Sequence, residues 1–221
     1  MGAEITLTAS DGHKLDAYVA TPDGDPRAGM VIIQEIFGVN DDIRETVDNF
    51  AKEGYHAIAP ALFDRVETRA VMPFDAAGIE KGRALKGRMS WDGAILDVNA
   101  AIEIVNHTGK VGIVGFCMGG SVTWLAASRS PVDAAVGYYG GDIHAHRDEA
   151  PKCPTMLHFG AEDAAIPLDG VAEVDRMYPD VPVFVYDGAG HGFSCSRRGA
   201  YHKEAARQAM ERTLNFFSEK L

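Results

Sequence analysis

Short, nearly continuous apolar runs alternate along the chain with longer stretches in which apolar residues recur at every third or fourth position. The first pattern marks strands buried on both faces, and the second marks helices with one buried stripe. On this reading "EITLTA" and "LDAYVATP" form an opening antiparallel pair, and "GMVIIQE" is a short buried strand. "DDIRETVDNFAKEG" is a helix capped by Asp41 and stopped at Gly54, and "YHAIAP" is the next strand. "SWDGAILDVNAAIEIVNH" is a helix with Ser90 as cap. Then come strand "KVGIVG", a helix after Cys117, strands "DAAVGYYG" and "PTMLHFG", a helix from about Leu168, strand "VPVFVYD" and a last helix from about Ala200. Two regions, 63–88 and 140–151, are expected to be irregular; within the first, "DAAGIEKGRALKG" has a helical pattern broken by glycines. Strands alternating with helices predict an α/β fold, a mostly parallel central sheet with helices on both faces. No linker interrupts the pattern, so residues 1–221 are expected to form one domain.

Composition narrows the function. With 46% apolar and 24% charged residues the chain has enough material for a sizeable core. A formal net charge of −11 repels phosphate backbones and disfavours nucleic acid as a partner. No apolar run is long enough to cross a bilayer, so no membrane partner is expected. Cys117, Cys153 and Cys195 are widely spaced and form no Cys-x-x-Cys pair, which points to reduced thiols in a cytoplasm rather than to disulfides or zinc. The loop "DIHAHRDE" carries His144, His146 and Asp142 but no further ligand set, and reads as a solvated loop. "GFCMGG" lacks the Gly-Lys-Ser/Thr ending of a phosphate loop. No metal and no cofactor are expected, and the partner is a small molecule, with the chain a monomer or small homo-oligomer.

The chemistry concentrates at "KVGIVGFCMGGSVTWLAAS", a strand, a sharp corner and a helix. Gly115 and Gly119 flank Cys117 at the spacing that lets a strained corner push its central side chain over the carboxyl edge of the sheet. The start of the following helix favours negative charge on sulfur, and the Met118 N–H can donate to a developing oxyanion. A nucleophile needs a base, and the base an orienting acid. In α/β-hydrolases these follow the nucleophile as acid and then histidine. Asp163 lies just past the strand "PTMLHFG" and His191 just past "VPVFVYD", at the same edge as Cys117. Asp169, Asp175 and Asp187 are competing acids; His158, inside a strand, reads as a core histidine, and His202 as a surface one.

The corner "GFCMGG", with "QEIFGVN", "VGYYG", "GAEDAAIP" and "GAGHGF", resembles the dienelactone hydrolase family in order and spacing from Gln34 to the last helix. The resemblance implies an α/β-hydrolase fold and a Cys-His-Asp triad of Cys117, His191 and Asp163. It implies that Glu35 contacts the thiol and controls its ionisation, and that the Ile36 N–H completes an oxyanion hole with Met118. It also places Tyr138 near the active site. Phe37, Arg83 and Arg88 complete the candidates for substrate contact. One departure bears on the substrate. Family members that cleave dienelactone hold its carboxylate with two arginines, one of them four positions after the histidine. Here that position is Cys195, with Arg197 and Arg198 further on. The expected activity is hydrolysis of an activated ester or lactone. A carboxylesterase or thioesterase acting on neutral esters, and a redox-sensing thiol protein, are the competing readings.

Overall fold

The computed structural model describes residues 2–221. Eight strands form one sheet in the order β1-β2-β4-β3-β5-β6-β7-β8. β1 (Ala3–Thr8) and β2 (Lys14–Ala20) are the antiparallel opening pair, and β2 also runs antiparallel to β4 (Tyr55–Pro60). From β4 onward every pairing is parallel, through β3 (Ala28–Ile33), β5 (Val111–Phe116), β6 (Ala134–Tyr138), β7 (Thr155–Gly160) and β8 (Val183–Tyr186). The period-2 alternation of a strand divides the core in two. Met30 and Ile32 face one side with Val47 and Phe50 of α1 (Asp41–Lys52) and Phe217 of α6 (Lys203–Lys220). Val31 and Ile33 face the other, with Val98 and Ile102 of α3 (Trp91–Val105) and Val122 and Leu125 of α4 (Met118–Arg129). Covered on both faces, the inner strands have no exposed side to mark with polar residues, which is why they read as unbroken apolar runs.

Two local expectations change. The cap of α1 is Asn40, whose side chain accepts from the Ile43 N–H at 3.1 Å; Asp41 is the first helical residue. The segment expected to be broken by glycines is an intact helix, α2 (Ala76–Arg88), in which Gly78 and Gly82 are points of close approach. A Cβ on Gly78 would stand 1.9 Å from the Pro73 carbonyl oxygen, and one on Gly82 2.2 Å from that of Ile36. The propensity cost of these glycines is offset by packing that no larger residue permits. α2 is thereby pressed onto the loop that follows β3. Ser90 caps α3 as expected, accepting from the Gly93 N–H. α5 (Leu168–Met177) completes the helices. Among the described residues, no helix is long and apolar enough to cross a membrane.

Candidate active site

The carboxyl ends of β3, β5, β6, β7 and β8 open at one edge, where ligand crevices form in open α/β sheets. Cys117 stands between β5 and α4 with φ +55° and ψ −118°, a strained conformation for a side-chain-bearing residue. The corner is held by the Cys117 N–H, which donates to the Tyr138 carbonyl at 3.0 Å. Its flanks can only be glycine. A Cβ on Gly115 would meet the Gly119 carbonyl oxygen at 2.1 Å, and one on Gly119 would meet that of Ile33 at 2.4 Å.

His191, in the loop after β8, reaches back over this corner. Its Nε2 lies 3.1 Å from Cys117 Sγ, and its Nδ1 lies 2.7 Å from Asp163 Oδ2. Asp163 is fixed in turn: its other oxygen accepts from the Ala165 N–H at 2.8 Å, closing an Asx turn beyond β7. Its side chain is 1% exposed, whereas Asp169, Asp175 and Asp187 all lie at the surface. Burial by itself pushes the His191 imidazole down. The hydrogen bonds to Asp163 and Cys117, with the negative charge behind them, outweigh it and bring the group up to about 10. The arrangement can present sulfur as a nucleophile beside a charged imidazole.

The loop after β3 brings in the rest. Gln34 is fully buried; its side-chain amide donates to the Glu35 carbonyl, and its side-chain oxygen accepts from the Leu62 N–H. In this loop the Ile36 N–H, like the Met118 N–H, donates to no other group among the described residues.

Glu35 hydrogen-bonds to Arg198, and among the described residues the hydrogen-bond partner of the thiol is His191. Arg198 Nη1 donates to Glu35 Oε1 at 2.9 Å, with the two side chains 15% and 4% exposed. Burial raises the Glu35 carboxyl above the usual range, while Arg198 and His191 pull it down. The Arg198 guanidinium lies 5.3 Å from the centre of the Phe37 ring and packs under the backbone of Gly192, next to His191. In the sequence Arg198 is only one of two arginines past the expected position.

The four candidates for substrate contact stand in different surroundings. Tyr138 is fully buried, and its hydroxyl shares a hydrogen bond with Thr213 of α6 at 2.6 Å. It is Tyr139 whose ring meets His191, with centroids 5.2 Å apart. Phe37 is 1% exposed, covered by Phe74 and Arg198. Arg83 and Arg88 lie exposed on α2 and form no ion pair among the described residues. Elsewhere on α2, Lys86 reaches Asp142 at 2.6 Å. His144 pairs with Glu173, and among the described residues no group of three or more His, Cys, Asp or Glu gathers around a metal-sized space. His158 is a core histidine, bonded to Tyr186 and Thr213 and held down to about 3 by burial. His202 caps α6, its Nδ1 accepting from the Ala205 N–H.

A doubly covered sheet with a cysteine corner and an acid–histidine pair at its carboxyl edge defines an α/β-hydrolase-type ester hydrolase. Residues 15–221 match the model of the dienelactone hydrolase family. The chain is 35% identical to a carboxymethylenebutenolidase of Pseudomonas putida over 224 residues, covering 97% of this chain and 95% of that one. A Klebsiella pneumoniae structure described provisionally as a dienelactone hydrolase superposes with a TM-score of 0.81 at 30% identity, covering 98% of this chain and 99% of that one. An esterase of Pyrococcus furiosus, with a TM-score of 0.73 at 16% identity, covers 100% of this chain and 93% of that one and shares the fold. The chain belongs to the dienelactone hydrolase family and is a carboxylic ester hydrolase.

Proposed function

We propose that the protein cleaves an activated ester or lactone, of the enol-lactone type, through a thioester on Cys117. The observation that carries this is the unbroken line from Asp163 through His191 to Cys117, with contacts of 2.7 and 3.1 Å. Sulfur adds to the substrate carbonyl carbon, and the charge that moves to the carbonyl oxygen is received by the Ile36 and Met118 N–H groups. Losing one such donor costs about 3 kcal/mol of transition-state stabilisation. The carbon–oxygen bond then breaks, its electron pair leaves on the enolate or alkoxide oxygen, that oxygen takes the proton from His191 Nε2, and the acyl group stays on sulfur. In the second half His191 takes a proton from water, the hydroxide oxygen bonds to the thioester carbon, and the carbon–sulfur bond breaks to restore the thiolate. Asp163 holds the imidazole in one tautomer throughout.

Sulfur also shapes the substrate. A thiolate is a better leaving group than an alkoxide, so the first adduct reverts unless the substrate's own leaving group is good. Enol lactones and aryl esters meet that condition, and amides do not. A preference for neutral esters over carboxylated lactones is the second reading. It is favoured by Cys195 at the position of a family arginine and by the engagement of Arg198 with Glu35. Cys117→Ala is expected to abolish ester cleavage, and Cys117→Ser to keep a weak remnant. Near-wild-type turnover by Cys117→Ala would refute the assignment. A panel of a dienelactone and neutral aryl esters separates the two substrate readings by kcat/KM.

A further inference from the structure

Tyr139 has the least comfortable backbone on the sheet edge after the corner itself. Its φ is +37°, in a region that a bulky aromatic residue enters only when its surroundings force it there. The conformation is held by its N–H, which donates to the His158 carbonyl of β7 at 2.7 Å. It turns a fully buried ring toward the loop after β8 rather than along the path of Tyr138. That ring stands edge-on to His191, with centroids 5.2 Å apart and planes at 61°, and edge-on to Phe193 at 5.4 Å. Its hydroxyl shares a 2.7 Å hydrogen bond with Ser194 Oγ. Ser194 is half-buried and stands three residues past His191 in the same loop. The ring is thus a wall for the imidazole, and the hydroxyl is a tether for the loop that carries it.

We propose that Tyr139 and Ser194 form a positioning pair that fixes His191 over the sulfur, and that the strained backbone of Tyr139 serves this placement. The inference rests on the proposed role of His191 as the base. Neither residue touches the reacting atoms in this account. Both act through the orientation of the imidazole, whose Nε2 must face Sγ in one half-reaction and the attacking water in the other. The second half-reaction depends more on the pair. A thiolate attacks with little help from the base, whereas water needs its proton removed.

The experiment is a stopped-flow burst assay with p-nitrophenyl acetate on Tyr139→Phe, Ser194→Ala, Ser194→Thr and the double variant Tyr139→Phe/Ser194→Ala. Tyr139→Phe keeps the ring and loses only the tether. Deacylation is expected to slow about ten-fold in it, less than the hundredfold that a full ~1 Å displacement of a reacting group can cost. The burst rate and KM are expected to change less than about two-fold, because the first half-reaction leans less on the base. Ser194→Ala should match Tyr139→Phe, the double variant should be no slower than either single, and Ser194→Thr should recover most of the rate. Additive losses in the double variant, an equal loss in both half-reactions, or wild-type deacylation in both single variants would overturn the proposal. Should Tyr139→Phe fail to fold, the two Ser194 variants decide by themselves. Cys117→Ala assayed alongside keeps the two readings apart: activity there defeats the thiol mechanism, whereas unchanged tether variants beside an inactive Cys117→Ala defeat only the positioning pair.

Discussion

Replacing Arg198 by methionine keeps the apolar stem of the side chain and removes its charge. In the wild type the Arg198–Glu35 contact is 2.9 Å long, with the carboxylate side chain 4% exposed. Such a pair adds little net stability, since taking both charges out of water offsets their attraction. Removing one partner is different, because the other is stranded at a cost of about 3–5 kcal/mol. That is a large share of the roughly 5–15 kcal/mol that holds a domain folded. Glu35 can recover part of the cost by taking a proton. Burial already raises its carboxyl above the usual 4.5, and without Arg198 the rise is larger. The folded protein then keeps a proton that the unfolded chain releases, so the folded state binds more protons and stability falls as pH rises. Relative to wild type, Arg198→Met is expected to be closest in stability near pH ~5 and to fall furthest behind near pH ~8. Urea unfolding across that range measures it, with Glu35→Gln and the double variant Arg198→Met/Glu35→Gln alongside. The double variant buries no charge and should recover most of the loss near neutral pH. If Arg198→Met matches wild type at neutral pH and follows the same pH profile, Glu35 has another cation or reaches water. The ion pair would then not be what fixes Glu35.

Two further outcomes follow from the packing. His158 is fully buried and held down to about 3 by burial, whereas the unfolded chain titrates near 6.5. The unfolded state therefore binds more protons in that window, so this contribution is complete above about 6.5, is lost as pH falls, and amounts to at most about 5 kcal/mol. His158→Gln should unfold less steeply with acid when followed by circular dichroism, and a parallel acid transition would remove His158 as the cause. Gly82→Ala drives a Cβ to within 2.2 Å of the Ile36 carbonyl oxygen, whereas one on Gly87 would meet nothing within 4 Å. The first is expected to lower kcat more than it changes KM, and the second to add about 0.5–1 kcal/mol of stability at unchanged kcat; equal behaviour of the two would mean that α2 does not set the Ile36 loop.

The strands were legible because burial on both faces leaves them apolar throughout, and the corner because two glycines and a cysteine at that spacing have a steric reason to be there. The position of Asp163 and His191 at this edge was legible because each follows a strand that ends there, while the choice of Asp163 over its neighbours leaned on the family resemblance. What the sequence hid depends on distance in space. Gly78 and Gly82 of α2 look like helix breakers until the Pro73 and Ile36 carbonyls are seen against them. Tyr138 and Tyr139 are adjacent and identical in type. Which one turns toward the imidazole is decided by a single positive φ at the end of β6, and alternation along a strand does not encode that. Arg198 is displaced along the chain from the expected arginine position, and only the path of the loop over Gly192 and Phe37 brings it to Glu35.

The same contacts give the proposed chemistry a way to change the basicity of His191 between its two halves. In the resting protein the imidazole is brought up to about 10 by Asp163 and by Cys117 together, against the opposing effect of burial. A base already carrying a proton cannot take one from water. It can hold charge on the sulfur beside it and give its proton to a departing oxygen. Once the acyl group is on sulfur, a neutral thioester stands next to Nε2 in place of the free cysteine. One of the two influences that raised His191 disappears, while burial and Asp163 remain. The imidazole then releases its proton more readily, at the step where it must accept one from water. Acylation of Cys117 thus links the state of the nucleophile to the state of the base, without any movement of the chain.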